Sequence, residues 1–376
     1  MKKYFYSLGL MSGTSGDGVD ASIIQSDGDN EYNTIIDRYY KYDSHIYQEI
    51  HNLKSKINST KDLKIFKKEL KILEKKITLF HAIAANKIIQ ISKYNIDLIG
   101  FHGQTILHNA KKKISIQLGN PQLLSKITKK NIVYNFRKND LKNGGQGAPL
   151  ASIFHKLLIA RLKIELPACV LNLGGIANAT IIKSNKPNNF YSFDIGPGNC
   201  LIDKWIRLHS RKKFDLNGLI SKSGKANKIL LTNEIKKFYK YKSKINLSLD
   251  TKDFDLSFVK KLSFKDGAAT LTEFSGNIIS ETLSNFLVKK YNKSWKILVC
   301  GGGRKNKTLI DFIKKKINKN LTLYNIDKFN INGDFIESQA FAYLAIRSYL
   351  NLPISFPETT GVKKPCSGGL IFKFKL

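Results

Sequence analysis

One local pattern occurs twice in the chain: an apolar run, a tight glycine-bearing turn, then a second apolar run. The first copy sets Gly9-Leu10-Met11-Ser12-Gly13-Thr14-Ser15-Gly16-Asp17-Gly18-Val19-Asp20 between the apolar segments Tyr4–Leu8 and Val19–Ile24. The second runs from Ala168 to Ile182, with Leu171-Asn172-Leu173-Gly174-Gly175-Ile176-Ala177-Asn178 at its centre. Each reads as strand, turn, strand. The two copies lie about 160 residues apart and begin the two halves of the chain, which points to an internal duplication. The first turn also carries chemistry. Its glycines leave backbone N–H groups uncovered, and hydroxyls and carboxylates stand beside them. Such a set can hold a polyphosphate and its magnesium, with N–H and O–H groups on phosphate oxygens and a carboxylate on the metal or its waters. A plain hairpin turn favours the same residue types, so the turn taken alone leaves both readings open.

A length of 376 residues leaves room for two domains. The hydrophobic share of 42% suits a globular protein with real cores. No apolar run of membrane-spanning length is free of charges or glycines. Met1–Leu10 has two lysines ahead of apolar residues, as a signal peptide does. Its apolar part is short and enters the first turn directly, so a cytoplasmic protein without a membrane partner is expected. Cys169, Cys200, Cys300 and Cys366 form no C-x-x-C pair, and no H-E-x-x-H occurs, so neither a zinc ribbon nor a zincin site is indicated. The formal net charge is +34. Lysines supply most of it, in scattered pairs and triplets such as Lys111–Lys113 and Lys314–Lys316, amid many Asn and Ile residues. That distribution fits a compositionally biased, solvated surface, and no nucleic-acid partner is expected. The competing reading is a basic nucleic-acid-binding protein with a vestigial ATPase core, whose mark would be steeply salt-dependent binding.

Along the chain, Lys3–Leu8, Val19–Gln25 and Thr34–Tyr40 read as a β-meander. Residues 44–95 repeat apolar positions at helical spacing and predict one or two long amphipathic helices. Asp97–Thr105 reads as a short buried strand leading into a polar loop, and Ile132–Phe136 as another strand, ending at Arg137. Helices are expected over Leu150–Leu162, Cys200–Leu208, residues 225–245, Asp266–Lys290, Asn306–Asn318 and Glu337–Leu350. Further strands are expected at Trp295–Cys300 and Leu321–Ile326. Strands alternating with helices predict an α/β fold. Three glycine turns therefore sit at strand ends: Gly13–Gly18, Gly174-Gly175 and Gly301-Gly302-Gly303. None is a P-loop, and no G-x-G-x-x-G opens a Rossmann unit.

The segments Gly9–Asp20, Phe101–Ile106, Asn135–Leu150, Leu171–Asn178, Phe193–Asn199, Val299–Arg304 and Ile336–Ala345 resemble the signature segments of the anhydro-N-acetylmuramic acid kinases. They occur in that family's order and over essentially the whole chain. G-x-M-S-G-T-S-x-D-G-x-D followed by F-D-x-G-P-G-N is the specific part. The resemblance implies two duplicated actin-like (ribonuclease H-like) domains with an ATP cleft between them. Residues 1–138 plus 351–376 would form one domain and 139–350 the other. It implies phosphorylation of 1,6-anhydro-N-acetylmuramic acid at O6 by ATP, with hydrolytic opening of the anhydro ring. The product is N-acetylmuramic acid 6-phosphate, in peptidoglycan recycling. The implied cofactors are ATP and Mg2+, and the implied assembly is a homodimer. A kinase of another amino sugar is the alternative within the same fold.

Carried over residue by residue, the resemblance makes Asp194 the base that activates water for attack on the anomeric carbon. It assigns Gly13, Thr14, Ser15, Gly16, Asp17, Gly18, Val19 and Asp20 to the ATP phosphates, together with Gly174 and Gly175. Gly301, Gly302 and Gly303 would lie against adenosine, and Asp17 and Asp20 would orient magnesium-bound waters. Arg137 would meet the lactyl carboxylate or a phosphate, Glu337 the sugar hydroxyls, and His102 the substrate. Structural ion pairs or a loop hydrogen bond account for these last three equally well. The chain departs from the family pattern in three places. Gly16 stands where Leu or Met is frequent, which loosens the turn, so Gly16→Leu is expected to tighten ATP binding. Ser338 and Gln339 replace smaller or apolar residues. Leu247–Phe254 matches the family's P-K-S-T-G-R-E-like segment only loosely.

Overall fold

The structure, a computed structural model, describes residues 3–186, 189–242, 248–288 and 294–375. It divides into two compact units, residues 1–161 with 335–376, and residues 162–334.

In the first unit β1 (Phe5–Ser12), β2 (Gly18–Ser26) and β3 (Tyr32–Lys41) form an antiparallel meander. β4 (Leu98–Asn109) runs parallel to β1 on its free edge, and β6 (Asn131–Tyr134) parallel to β4. β5 (Ile114–Leu118) folds back on β4. In the second unit β7 (Ala168–Leu173), β8 (Ile176–Ile182) and β9 (Phe190–Pro197) form the same antiparallel meander. β10 (Trp295–Cys300) and β11 (Leu321–Asn325) then add in parallel on the free edge of β7. The strand orders are β6-β4-β1-β2-β3, extended beyond β6 by the C-terminal strand Leu370–Phe372, and β11-β10-β7-β8-β9. A meander followed by two parallel strands on its first edge is the ribonuclease H-like arrangement. Its recurrence establishes the duplication at the level of topology.

The helices follow the apolar periodicity. α1 (Ser44–Lys56), α2 (Thr60–Ile65) and α3 (Lys67–Ser92) fill the stretch expected to be helical. Asp43 and Ser59 start the first two by accepting N–H bonds from Ile46 and Asp62, whereas α3 starts at Phe66 with no side-chain cap. α4 (Pro121–Thr128), α5 (Arg137–Lys142) and α6 (Ser152–Arg161) complete this part of the first unit. The second unit holds α7 (Cys200–His209), α8 (Leu219–Lys222), α9 (Lys228–Lys242) and α10 (Phe264–Leu283). Lys289 and Lys290, the last residues of the expected Asp266–Lys290 helix, lie outside the described residues, as does Leu247. Each unit has its own core. Leu8, Val19, Ile50, Ile77 and Phe101 pack in the first, and Trp205, Leu271, Ile278 and Trp295 in the second. The Trp205 indole N–H satisfies its polar edge on the Phe264 carbonyl at 2.9 Å.

Two expectations need correction. β4 continues through His102–Thr105 instead of ending in a loop, because β5 pairs with Gln104, Thr105 and Leu107 and takes up the backbone groups a loop would leave to water. The unit boundaries fall at 161/162 and 334/335, not at 138/139 and 350/351. The reason is the helix Ile336–Tyr349, which lies on the sheet of the first unit. A Cβ on Gly9 would stand 1.9 Å from the Ser338 carbonyl oxygen, and one on Gly100 would stand 2.3 Å from that of Phe341. Only glycine at both strand positions lets the helix sit this low. Among the described residues no helix is long and apolar enough to cross a membrane.

Candidate active site

The β1–β2 turn is held from behind by its carbonyl oxygens. Gln104 Nε2 donates to the Gly13 carbonyl (3.0 Å), Lys54 Nζ to that of Thr14 (3.2 Å), and His51 Nε2 lies 2.9 Å from that of Ser15. The Asp17 carbonyl accepts from the Tyr42 N–H and the Tyr39 hydroxyl, both at 3.0 Å. Ser12, buried beneath, donates to Gln104 Oε1 at 2.6 Å. With the carbonyls committed to the scaffold, the N–H groups of Thr14 and Ser15 find no acceptor among the described residues. That is the polarity an anion requires. The Ser15 hydroxyl bonds Asp17 Oδ1 across the turn. Val19 is fully buried in the core and offers only backbone, while Asp20 is half-buried on β2. Gly16 has φ +59°, donates its N–H to the Gly13 carbonyl, and would place a Cβ 2.9 Å from Ile50 Cγ2. Glycine therefore closes this turn: a leucine side chain here would strain the backbone and meet the core.

The β7–β8 turn repeats the device. The Gly174 carbonyl accepts from the Asn199 N–H at 2.9 Å, and the Gly175 carbonyl accepts from those of Gly198 (3.0 Å) and Cys200 (3.2 Å). At the end of β10 the three glycines do different work. Gly301 has φ +78°, and a Cβ there would lie 2.3 Å from Asn172 Oδ1. One on Gly303 would lie 2.7 Å from Leu173 Cβ, whereas one on Gly302 would meet nothing within 4 Å. The outer two seat the loop on the β7–β8 turn, and Gly302 is the open surface. Arg304 anchors the segment: its buried guanidinium pairs with Asp327 and Asp334 and donates to the Gly301 carbonyl at 3.1 Å. The two carboxylates hold its charge, and its guanidinium in turn draws theirs below the ordinary range against the opposing effect of burial.

Asp194 lies on β9 where the ladder to β8 slips: Ala177 pairs with Gly196 and Asn178 with Asp194, leaving Ile195 as the extra residue of a bulge. Bulges re-aim side chains. Asp194 Oδ2 accepts the Leu249 N–H at 2.8 Å, so the loosely matching 248–254 segment touches this carboxylate directly. Lys242, which motif reading missed, donates its ammonium to the carbonyls of Asp194 and Ile195. Burial lowers its pKa to about 8, against the opposing pull of Asp194.

His102 and Arg137 are brought together in the first unit. Arg137 Nε lies 3.2 Å from His102 Nε2, and Arg137 Nη1 donates to the Gly147 carbonyl at 2.9 Å. A guanidinium only donates, so Nε2 accepts and Nδ1 carries the hydrogen toward the Gly103 carbonyl, 2.8 Å away. Burial first, then the Arg137 charge, hold the His102 pKa well below its usual value, so the ring is neutral. Glu337 is half-buried in the first turn of its helix. Its neighbours Ser338 and Gln339, the departures from the pattern, have partners inside the unit. The Ser338 hydroxyl lies 2.6 Å from that of Ser22, and Gln339 Nε2 donates to Asp37 Oδ2 at 3.0 Å.

The family model for anhydro-N-acetylmuramic acid kinase matches residues 5–374. The chain belongs to that family. It is 54% identical to the anhydro-N-acetylmuramic acid kinase of Pelagibacter ubique (strain HTCC1062), over 99% of this chain and 100% of that one. It is 34% identical to the enzyme of the same name from Agrobacterium fabrum (strain C58 / ATCC 33970), over 98% of each. A looser likeness, with 11% identity and a TM-score of 0.44, is to component A of the (R)-2-hydroxyglutaryl-CoA dehydratase of Acidaminococcus fermentans. It covers 92% of this chain and 99% of that one. Family members over this span are sugar kinases, the class of enzyme to which this chain belongs.

Proposed function

We propose that this kinase converts 1,6-anhydro-N-acetylmuramic acid, ATP and water into N-acetylmuramic acid 6-phosphate and ADP. The observation that carries the reading is the Asp194 carboxylate, re-aimed by a β-bulge and fixed by the Leu249 N–H. Asp194 takes a proton from water as that water attacks the anomeric carbon. The bond from that carbon to O6 breaks, and O6 bonds to the γ-phosphorus as the bond from that phosphorus to the bridging oxygen of ADP breaks. MgATP supplies the phosphoryl group and the neutralising charge on which such transfer depends.

The residues present fit that cosubstrate. The unclaimed N–H groups of Thr14 and Ser15 suit phosphate oxygens, with Gly13, Gly16 and Gly18 shaping the turn. Asp17 and Asp20 are the carboxylates for magnesium-bound waters. Gly174 and Gly175 form the second phosphate-facing turn, and Gly302 offers adenosine an uncovered surface between Gly301 and Gly303. Arg137, oriented by His102, binds the lactyl carboxylate, and Glu337 binds sugar hydroxyls. The reading places the enzyme in the cytoplasm, as a homodimer, in peptidoglycan recycling. Incubating the folded protein with ATP and magnesium, and with either the anhydro sugar or open-ring N-acetylmuramic acid, tests it. Phosphorylation of the anhydro sugar is expected. Exclusive use of an open-ring sugar would overturn the substrate assignment.

A further inference from the structure

A lysine ammonium in a half-buried setting ordinarily pairs with a carboxylate or reaches water. Lys242, the last residue of α9, donates instead to two successive main-chain carbonyls, those of Asp194 and Ile195. Its ammonium nitrogen also lies 5.8 Å from the centroid of the Phe238 ring, a core residue of the second unit. The two carbonyls flank the residue that slips out of the β8–β9 ladder. The cation thus holds the main chain on both sides of the bulged residue.

We propose that Lys242 is a positioning residue for Asp194: its ammonium clamps the bulge from the main-chain side, while the Leu249 N–H fixes the carboxylate from the other. The clamp sets the direction in which the Asp194 side chain leaves β9. The proposal rests on the reading of Asp194 as the base. The Lys242 ammonium donates to β9 and not to the glycine triplet, so its loss should affect turnover and spare nucleotide binding.

The test compares K242M, K242Q and K242R with the native enzyme and with D194N. In K242M and K242Q, kcat is expected to fall roughly ten- to a hundredfold, with KM for ATP unchanged within about twofold. Arginine keeps the charge and the donors, so K242R is expected to recover most of the lost kcat. A merely structural lysine would lower the unfolding midpoint without this split. If K242M does not fold, K242Q against K242R carries the same comparison. Turnover of K242Q equal to that of the native enzyme would overturn the proposal, as would an equal loss in K242R and K242Q. The D194N arm keeps the two claims apart. Loss of turnover in D194N with native turnover in K242Q rejects the clamp alone, whereas native turnover in D194N rejects the base.

Discussion

Replacing the three glycines after β10 one at a time should separate packing from nucleotide contact. In Gly301→Ala the new methyl group meets Asn172 Oδ1 at 2.3 Å and the Leu173 carbonyl group at 2.9 Å, and the residue must hold φ +78°. With ψ at 167° this is an extended conformation open almost only to glycine, and holding alanine in it costs about 1–3 kcal/mol. Forcing a methyl group into a packed contact adds about 1–3 kcal/mol. The second unit should therefore lose about 2–6 kcal/mol, read as a lower urea midpoint at constant m. In Gly302→Ala the methyl group enters open space, so stability should stay within about 1 kcal/mol of native. If adenosine lies on that surface, the same substitution should weaken nucleotide binding, measured by titration calorimetry, by about tenfold. A G301A protein as stable as native would refute the packing argument. A G302A protein with native nucleotide affinity would refute the placement of adenosine.

Acid should destabilise the first unit through its buried neutral histidines. Burial lowers His81 and His155 to about 4, so the folded state binds fewer protons than the unfolded one. Their stabilising effect is full above the unfolded value of 6.5 and is lost as pH falls toward 4. Each should contribute roughly 2 kcal/mol of loss by about pH 5, and a urea midpoint that stays flat from pH 7 to 5 would contradict this. Gly16→Leu should cost about 2–5 kcal/mol, from the left-handed backbone and the Ile50 contact, without tightening ATP binding. Tighter binding in a variant of native stability would overturn that reading. Arg137→Met removes the donor to His102 Nε2, a group only 4% exposed, and should cost about 1–3 kcal/mol. The same variant should raise KM for the sugar while leaving KM for ATP unchanged; the reverse pattern would remove Arg137 from the sugar site.

The two hairpins were legible because Gly, Asp and Asn turns between β-branched runs leave few alternatives, and α1 and α3 because their apolar residues repeat at helical spacing. The extension of β4 was hidden. His102, Gly103, Gln104 and Thr105 are polar or small, and only the pairing with β5 turns them into strand. The boundary between the units was hidden for a related reason: an Ala-rich helix does not state which sheet it packs on, and Gly9 and Gly100 acquire meaning only once that helix lies across them. Asp194 stands out in the sequence through its motif. Lys242 does not, because its partners are main-chain carbonyls, which leave no side-chain pattern to read. The positive φ of Gly16 likewise follows from how the turn closes, not from its composition.

The central claim is that water opens the anhydro ring while O6 receives the phosphoryl group. The direct measurement is mass spectrometry of the product formed from the anhydro sugar and MgATP in 18O-labelled water, with rapid reduction to trap the oxygen on the anomeric carbon. The expected product is a 6-phosphate with one labelled oxygen on that carbon and none in the phosphate group. Label in released inorganic phosphate with no sugar phosphate, or a phosphorylated sugar that still contains its anhydro ring, would contradict the account.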